Sequence, residues 1–112
     1  MRGRFALLSL AALAACSSQA DKQLEAVKSA RSVLAEWALV EEQAAKGRAQ
    51  ATYIEQMREL AKDQLKTAEA GLSQQPDAAT LLDKLRSGAP DAAALKQAGD
   101  ALKPLEDSLE AA

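Results

Sequence analysis

One thiol, no imidazole and a scatter of hydroxyls and carboxylates are the reactive groups of this chain. Cys16 is the single cysteine, and the 112 residues contain no histidine. A lone thiol forms no internal disulfide. Without histidine, neither a His-ligated metal site nor a histidine-activated nucleophile is available. Ser29, Ser32, Ser73, Ser87 and Ser108 coexist with several lysines, but no recognisable serine-lysine motif surrounds them. No alternating Asp/Asn loop with a central glycine resembles a calcium hand. Glu41-Glu42 is expected to be a solvated flank near a helix end. The sequence therefore assigns no catalytic residue, no metal and no other cofactor. With 14 basic against 16 acidic residues, the chain also lacks the clustered positive charge that phosphate contacts need, and nucleic acid is not an expected partner. Trp37 is the remaining candidate. It is either a core residue on an apolar stripe or an anchor in a partner's pocket, because tryptophan is enriched at interface hot spots.

The surroundings of Cys16 are the most informative stretch. Met1-Arg2-Gly3-Arg4 is basic, and Phe5 to Ala15 carries no charge. That is the anatomy of a secretory signal. The run is too short for a bilayer core, which needs about 20 apolar residues. Leu13-Ala14-Ala15-Cys16 resembles the lipobox of bacterial lipoproteins: an aliphatic residue, two small residues and an obligatory cysteine. The resemblance implies diacylglycerol transfer to the Cys16 thiol, cleavage between Ala15 and Cys16, and acylation of the new amino terminus. The alternative is ordinary secretion with cleavage after Ala14, which strands a free Cys16 thiol in an oxidising compartment. In Gram-negative lipoproteins, Asp after the lipidated cysteine favours the inner membrane. Ser17 stands there in this chain, so the resemblance implies the periplasmic face of the outer membrane for a Gram-negative source. The expected organisation is a signal peptide over 1–15, a lipidated two-residue tether over 16–17 and a helical domain over 18–112. No domain family is recognised in residues 20–112.

Helices are needed to position anything beyond the anchor, and the composition supplies them. Alanine (27) and leucine (17) lead, with many Glu, Gln, Lys and Arg, all strong helix formers. No strands are expected, and the fold class is all-α. Ala26, Val27, Ala30, Val33, Leu34, Trp37, Val40 and Ala44 recur at steps of three and four, one face of a helix over about 18–46. Ser18 is its expected cap. Leu39 interrupts the opposite, polar line and should be exposed. Gly47 suits a left-handed helix end. Thr52-Tyr53-Ile54-Glu55 reads as a capping box for a second helix over about 52–72, with a stripe of Ile54, Met57, Ala61, Leu65, Ala68 and Leu72. Gly71 marks its end. Shorter helices follow over about 78–87, capped by Asp77, and about 90–110, opened by Pro90-Asp91. Pro104 predicts a kink or break inside the last one.

The short connection after Gly47 predicts an antiparallel hairpin. Folding the chain there pairs residues whose numbers total about 98: Val40 with Met57, Trp37 with Ala61, Val33 with Leu65, Ala30 with Ala68, Val27 with Leu72. The C-terminal helices would cover the open side. The expected function is non-enzymatic: a lipid-anchored helical protein acting through protein contacts, self-association or envelope structure. The alternative is a small-molecule or lipid-binding module on the hairpin's apolar seam, which should show an apolar pocket of roughly 300 Å³ or more.

Overall fold

The computed structural model describes residues 2–112, and the side chains from residue 19 onward. Four helices follow one another: α1 (Arg2–Ala45), α2 (Ala51–Gly71), α3 (Pro76–Ser87) and α4 (Ala92–Ala111). There is no strand among the described residues, and the fold is all-α as expected. α1 packs on α2 and α4, α2 packs on α3, and α3 meets α4 more loosely. Each helix thus neighbours the next in chain order, and the last closes back onto the first. The directions of α2 and α4 relative to α1 follow from the pairs that cross the seams. Glu41 meets Arg58, and Gln23 meets Gln74 and Gln75. Their numbers fall within one of 98, so the predicted α1–α2 register is present. Lys28 meets Glu110, Arg31 meets Glu106, and Glu42 meets Lys96, which sets α4 antiparallel to α1.

The core follows the predicted stripes, except that Ala44 and Met57 are only partly buried. Val27, Ala30, Val33, Leu34, Trp37 and Val40 of α1 are buried with Ile54, Ala61, Leu65, Ala68 and Leu72, and with Leu82, Leu95 and Leu102 of the last two helices. Ala38 is buried as well, although it lies outside the predicted stripe. α1 is flanked by two helices, and its buried face is correspondingly wide.

The helix ends correct several expectations. α1 does not begin at Ser18. The helix already runs from Arg2, because the Ala- and Leu-rich stretch between Phe5 and Ala15 contains no breaker. The lipobox Leu13-Ala14-Ala15-Cys16 falls within α1, and its side chains, those of Ala15 and Cys16 included, lie outside the described ones. At the other end Gly47 behaves as predicted, with φ +64°. Its N–H donates to Ala44 O at 3.2 Å and that of Arg48 donates to Gln43 O at 3.0 Å, the two bonds of a Schellman closure. Thr52 is not a cap. Gln50 holds the cap position, and its carbonyl accepts from Ile54 N–H at 3.1 Å. Asp77 is not a cap either. Pro76 opens α3, leaving Asp77 in the first turn, where its charge complements the helix dipole. The same four-residue word, Pro90-Asp91-Ala92-Ala93, works differently at α4: the Asp91 carboxylate accepts from Ala94 N–H at 2.8 Å as a true cap.

Gly71 is the last residue of α2, as expected, whereas Pro104 corrects an expectation. Gly71 ends the helix without a left-handed turn. Its missing side chain matters for packing, because a Cβ there would lie 2.8 Å from that of Ala26. Pro104 does not break α4, which continues through it to Ala111. The ring faces solvent, so water can satisfy the carbonyl one turn earlier that loses its donor.

Candidate contact surface

Trp37 is buried in the α1–α2 seam, 2% exposed. Its indole Nε1–H needs an acceptor there, and Glu41, one turn along α1, supplies Oε2 at 2.8 Å. The same carboxylate accepts a two-pronged bond from Arg58 of α2: Nε to Oε2 at 2.8 Å and Nη2 to Oε1 at 2.7 Å. Glu55 lies 3.6 Å from Arg58 on the other side. Trp37, Glu41 and Arg58 therefore form one clip that fixes the ring and pins the hairpin register. Arg58, by its hydrogen bonds, holds the Glu41 carboxyl below the usual carboxylate range, against burial and with help from the Trp37 N–H. The guanidinium of Arg58 is correspondingly held above its ordinary value by Glu41.

Glu41-Glu42 is thus not a solvated flank. Glu41 clips α1 to α2, while Glu42 pairs with Lys96 of α4, which lowers its carboxyl too. The predicted register already placed residue 58 within one position of Glu41, and an Arg opposite a Glu was the available signal. Along α2, Glu55 pairs with Arg58 and Glu59 with Lys62, three residues apart. Glu69 instead joins Arg86 of α3 at 3.0 Å. Arg31 spans α1 and α4, donating to Gly99 O at 3.0 Å and to Glu106 at 2.9 Å.

Beside the clip, the α1–α2 seam opens as a shallow groove of about 240 Å³. Trp37 and Ala61 are on its floor. Leu39, Tyr53 and Leu60 line it too, and they are exposed at 57%, 47% and 46%. Leu39 is exposed as its position in the polar line predicted. Wider depressions of about 420 and 520 Å³ lie between α3 and α4, also open to solvent. The five serines of residues 29 to 108 are all exposed. Among the described residues none of them hydrogen-bonds a lysine, no acidic cluster is suited to a metal ion, and no helix is long and apolar enough to cross a membrane.

No family model, curated protein or solved structure matches the chain. Sequence and geometry therefore carry the functional reading by themselves.

Proposed function

We propose that this chain is a non-enzymatic, lipid-anchored helical bundle of the bacterial envelope that acts through protein contacts or envelope structure. The observation that carries the proposal is the run from Arg2 to Cys16. A basic start, an uncharged stretch and Leu13-Ala14-Ala15-Cys16 follow in the order that lipidation requires. In a Gram-negative source, Ser17 directs the anchored protein to the periplasmic face of the outer membrane. The alternative role, a small-molecule or lipid-binding module, has less support. The groove on the hairpin seam is smaller than typical ligand pockets and open, and Trp37 fills the seam beneath it. An exposed apolar strip over a packed floor suits contact with another surface better than enclosure of a ligand.

Cleavage before Cys16 would leave the bundle almost no tether. From residue 16 to Ala45, α1 would extend about 45 Å at 1.5 Å per residue, and the body would remain close to the bilayer. Two acyl chains give stable attachment. Protein in isolated membranes should therefore stay through a high-salt wash, and Cys16→Ser should release it. Salt release of the wild type would refute the anchor.

A further inference from the structure

We infer that α3 is a flap, which lifts from the bundle as a unit while α1, α2 and α4 stay packed. The seams of the bundle are unequal. α4 is tied to α1 along its length, by Glu42 with Lys96, by Arg31 with Gly99 O and Glu106, and by Lys28 with Glu110. α3 packs on α2 and only loosely on α4. Among the described residues, no side-chain hydrogen bond or ion pair crosses the α3–α4 seam, and the one side-chain tie from α3 to a neighbouring helix is Arg86 with Glu69 of α2.

The α3–α4 seam is also incompletely filled. Depressions of about 420 and 520 Å³ follow each other along it and share Leu81 and Ala101. The cause lies in the side chains that α4 presents there. Ala94, Ala98 and Ala101 are too short to fill the space beside Leu81 and Leu85. A gap of this kind forfeits the dispersion contacts that hold two helices together.

α3 has little of its own to resist opening. It has 12 residues and buries Ala78, Leu82 and Leu85, so few apolar contacts are set against the entropy of fixing its backbone. No side chain caps its first turn, and the bond that closes its last turn, Gly88 N–H to Leu85 O, is long at 3.4 Å. Isolated helices of about this length are marginal in water. Undocked from its neighbours, α3 therefore also loses its helix.

The connections leave room for this motion. With α3 released, residues 72–91 become a 20-residue loop that can span about 66 Å. The ends it joins, Gly71 and Ala92, are separated by little more than the length of α2, about 31 Å. Pro90 and Asp91 indeed share a depression with Glu55 and Arg58, near the start of α2. α2 and α4 keep their own ties to α1 throughout. Opening uncovers Leu82 and Leu85 of α3 and, on α4, Ala98 and Leu102, an apolar surface that the closed bundle hides. The flap is independent of the lipid anchor.

Residue-resolved amide hydrogen exchange of the full chain in detergent, at neutral pH, tests the flap. The α3 amides should exchange together, at least roughly tenfold faster than those of α1 around Val33 and Trp37. Two variants on α1 and α4 decide whether they do so without global unfolding. Arg31→Ala removes ties to α4 that persist while α3 is open. It should speed the slowest amides of α1 and α4 several-fold and leave α3 unchanged. Gly99→Ala favours a helical α4 in the closed and open forms alike. It should slow the same α1 and α4 amides and again leave α3 unchanged. Arg86→Ala removes a tie that both opening and global unfolding break, so it should speed α3 and the slowest amides by one common factor, roughly two- to fivefold. α3 amides as protected as those of α1 would overturn the inference. So would α3 amides that follow Arg31→Ala or Gly99→Ala by the same factor as α1, because α3 would then belong to a single cooperative unit.

Discussion

Removing the Glu41 carboxylate should destabilise the bundle by an amount that depends on what replaces it. In Glu41→Ala the Trp37 N–H loses its acceptor while the ring stays buried. An unsatisfied buried donor costs about 1–3 kcal/mol. The ion pair with Arg58 is lost as well. The Arg58 side chain is 34% exposed against 13% for Glu41, so solvent screens the pair and its share is about 1 kcal/mol. Glu41→Ala should therefore cost about 2–4 kcal/mol. Glu41→Gln keeps an acceptor for the indole and loses only the charge, about 1 kcal/mol. A domain of this size loses about 4–8 °C of Tm per kcal/mol, so the two variants should melt well apart. Far-UV circular dichroism and tryptophan emission follow both melts. Equal midpoints for Ala and Gln would refute the role given to the indole bond. The acid dependence has a definite sign. Arg58 above all depresses the Glu41 pKa in the folded chain below the unfolded value near 4.5, so the charge-dependent stability is complete above the unfolded value and is lost as pH falls through the folded one. The gap between wild type and Glu41→Gln should be constant near neutral pH and close below about pH 4.5. A gap that widens on acidification would contradict the assignment.

Other substitutions separate packing from backbone effects. Gly71→Ala should lower stability by about 1–3 kcal/mol through overpacking against Ala26, although alanine is the better helix former; adding Ala26→Gly should recover part of the loss in a urea melt. Gly47→Ala should cost about 1–2 kcal/mol, because φ +64° strains any L side chain even in open space. Gly99→Ala, helical and equally open, should raise the melting point by the equivalent of about 0.5–1 kcal/mol. Trp37→Ala should cost about 3–5 kcal/mol, enough to unfold so small a core at growth temperature. Unchanged melting in that variant would contradict its burial.

The features legible in the sequence are those fixed by local periodicity. The α1 and α2 stripes need only steps of three and four, and Gly47 after Lys46 needs only the left-handed closure. Together these two features place Val33 near Leu65 and Trp37 near Ala61 before any coordinates. Features that depend on what lies across a seam were less accessible. Gly71 ends α2 as its position suggests, but its close approach to Ala26, 45 residues earlier in the chain, leaves no local signal. Pro76-Asp77 and Pro90-Asp91 are the same word with different cap positions, because the Gln75 N–H is tied to Leu72 O and the turn tightens before α3. Lys66 stands three residues before Glu69 on α2, yet Glu69 pairs with Arg86, a partner set by the placement of α3. The clip at Glu41 was within reach of the register, but a pair of adjacent glutamates gives no sign of which one faces the neighbouring helix.

The mass of the intact protein isolated from membranes tests the lipid anchor most directly. The predicted species begins at Cys16, lacks residues 1–15 and carries diacylglycerol on the thiol with a further acyl group on the amino terminus. A chain that begins at Ala15, or that retains an unmodified Cys16 thiol while fractionating with the membrane, would contradict it.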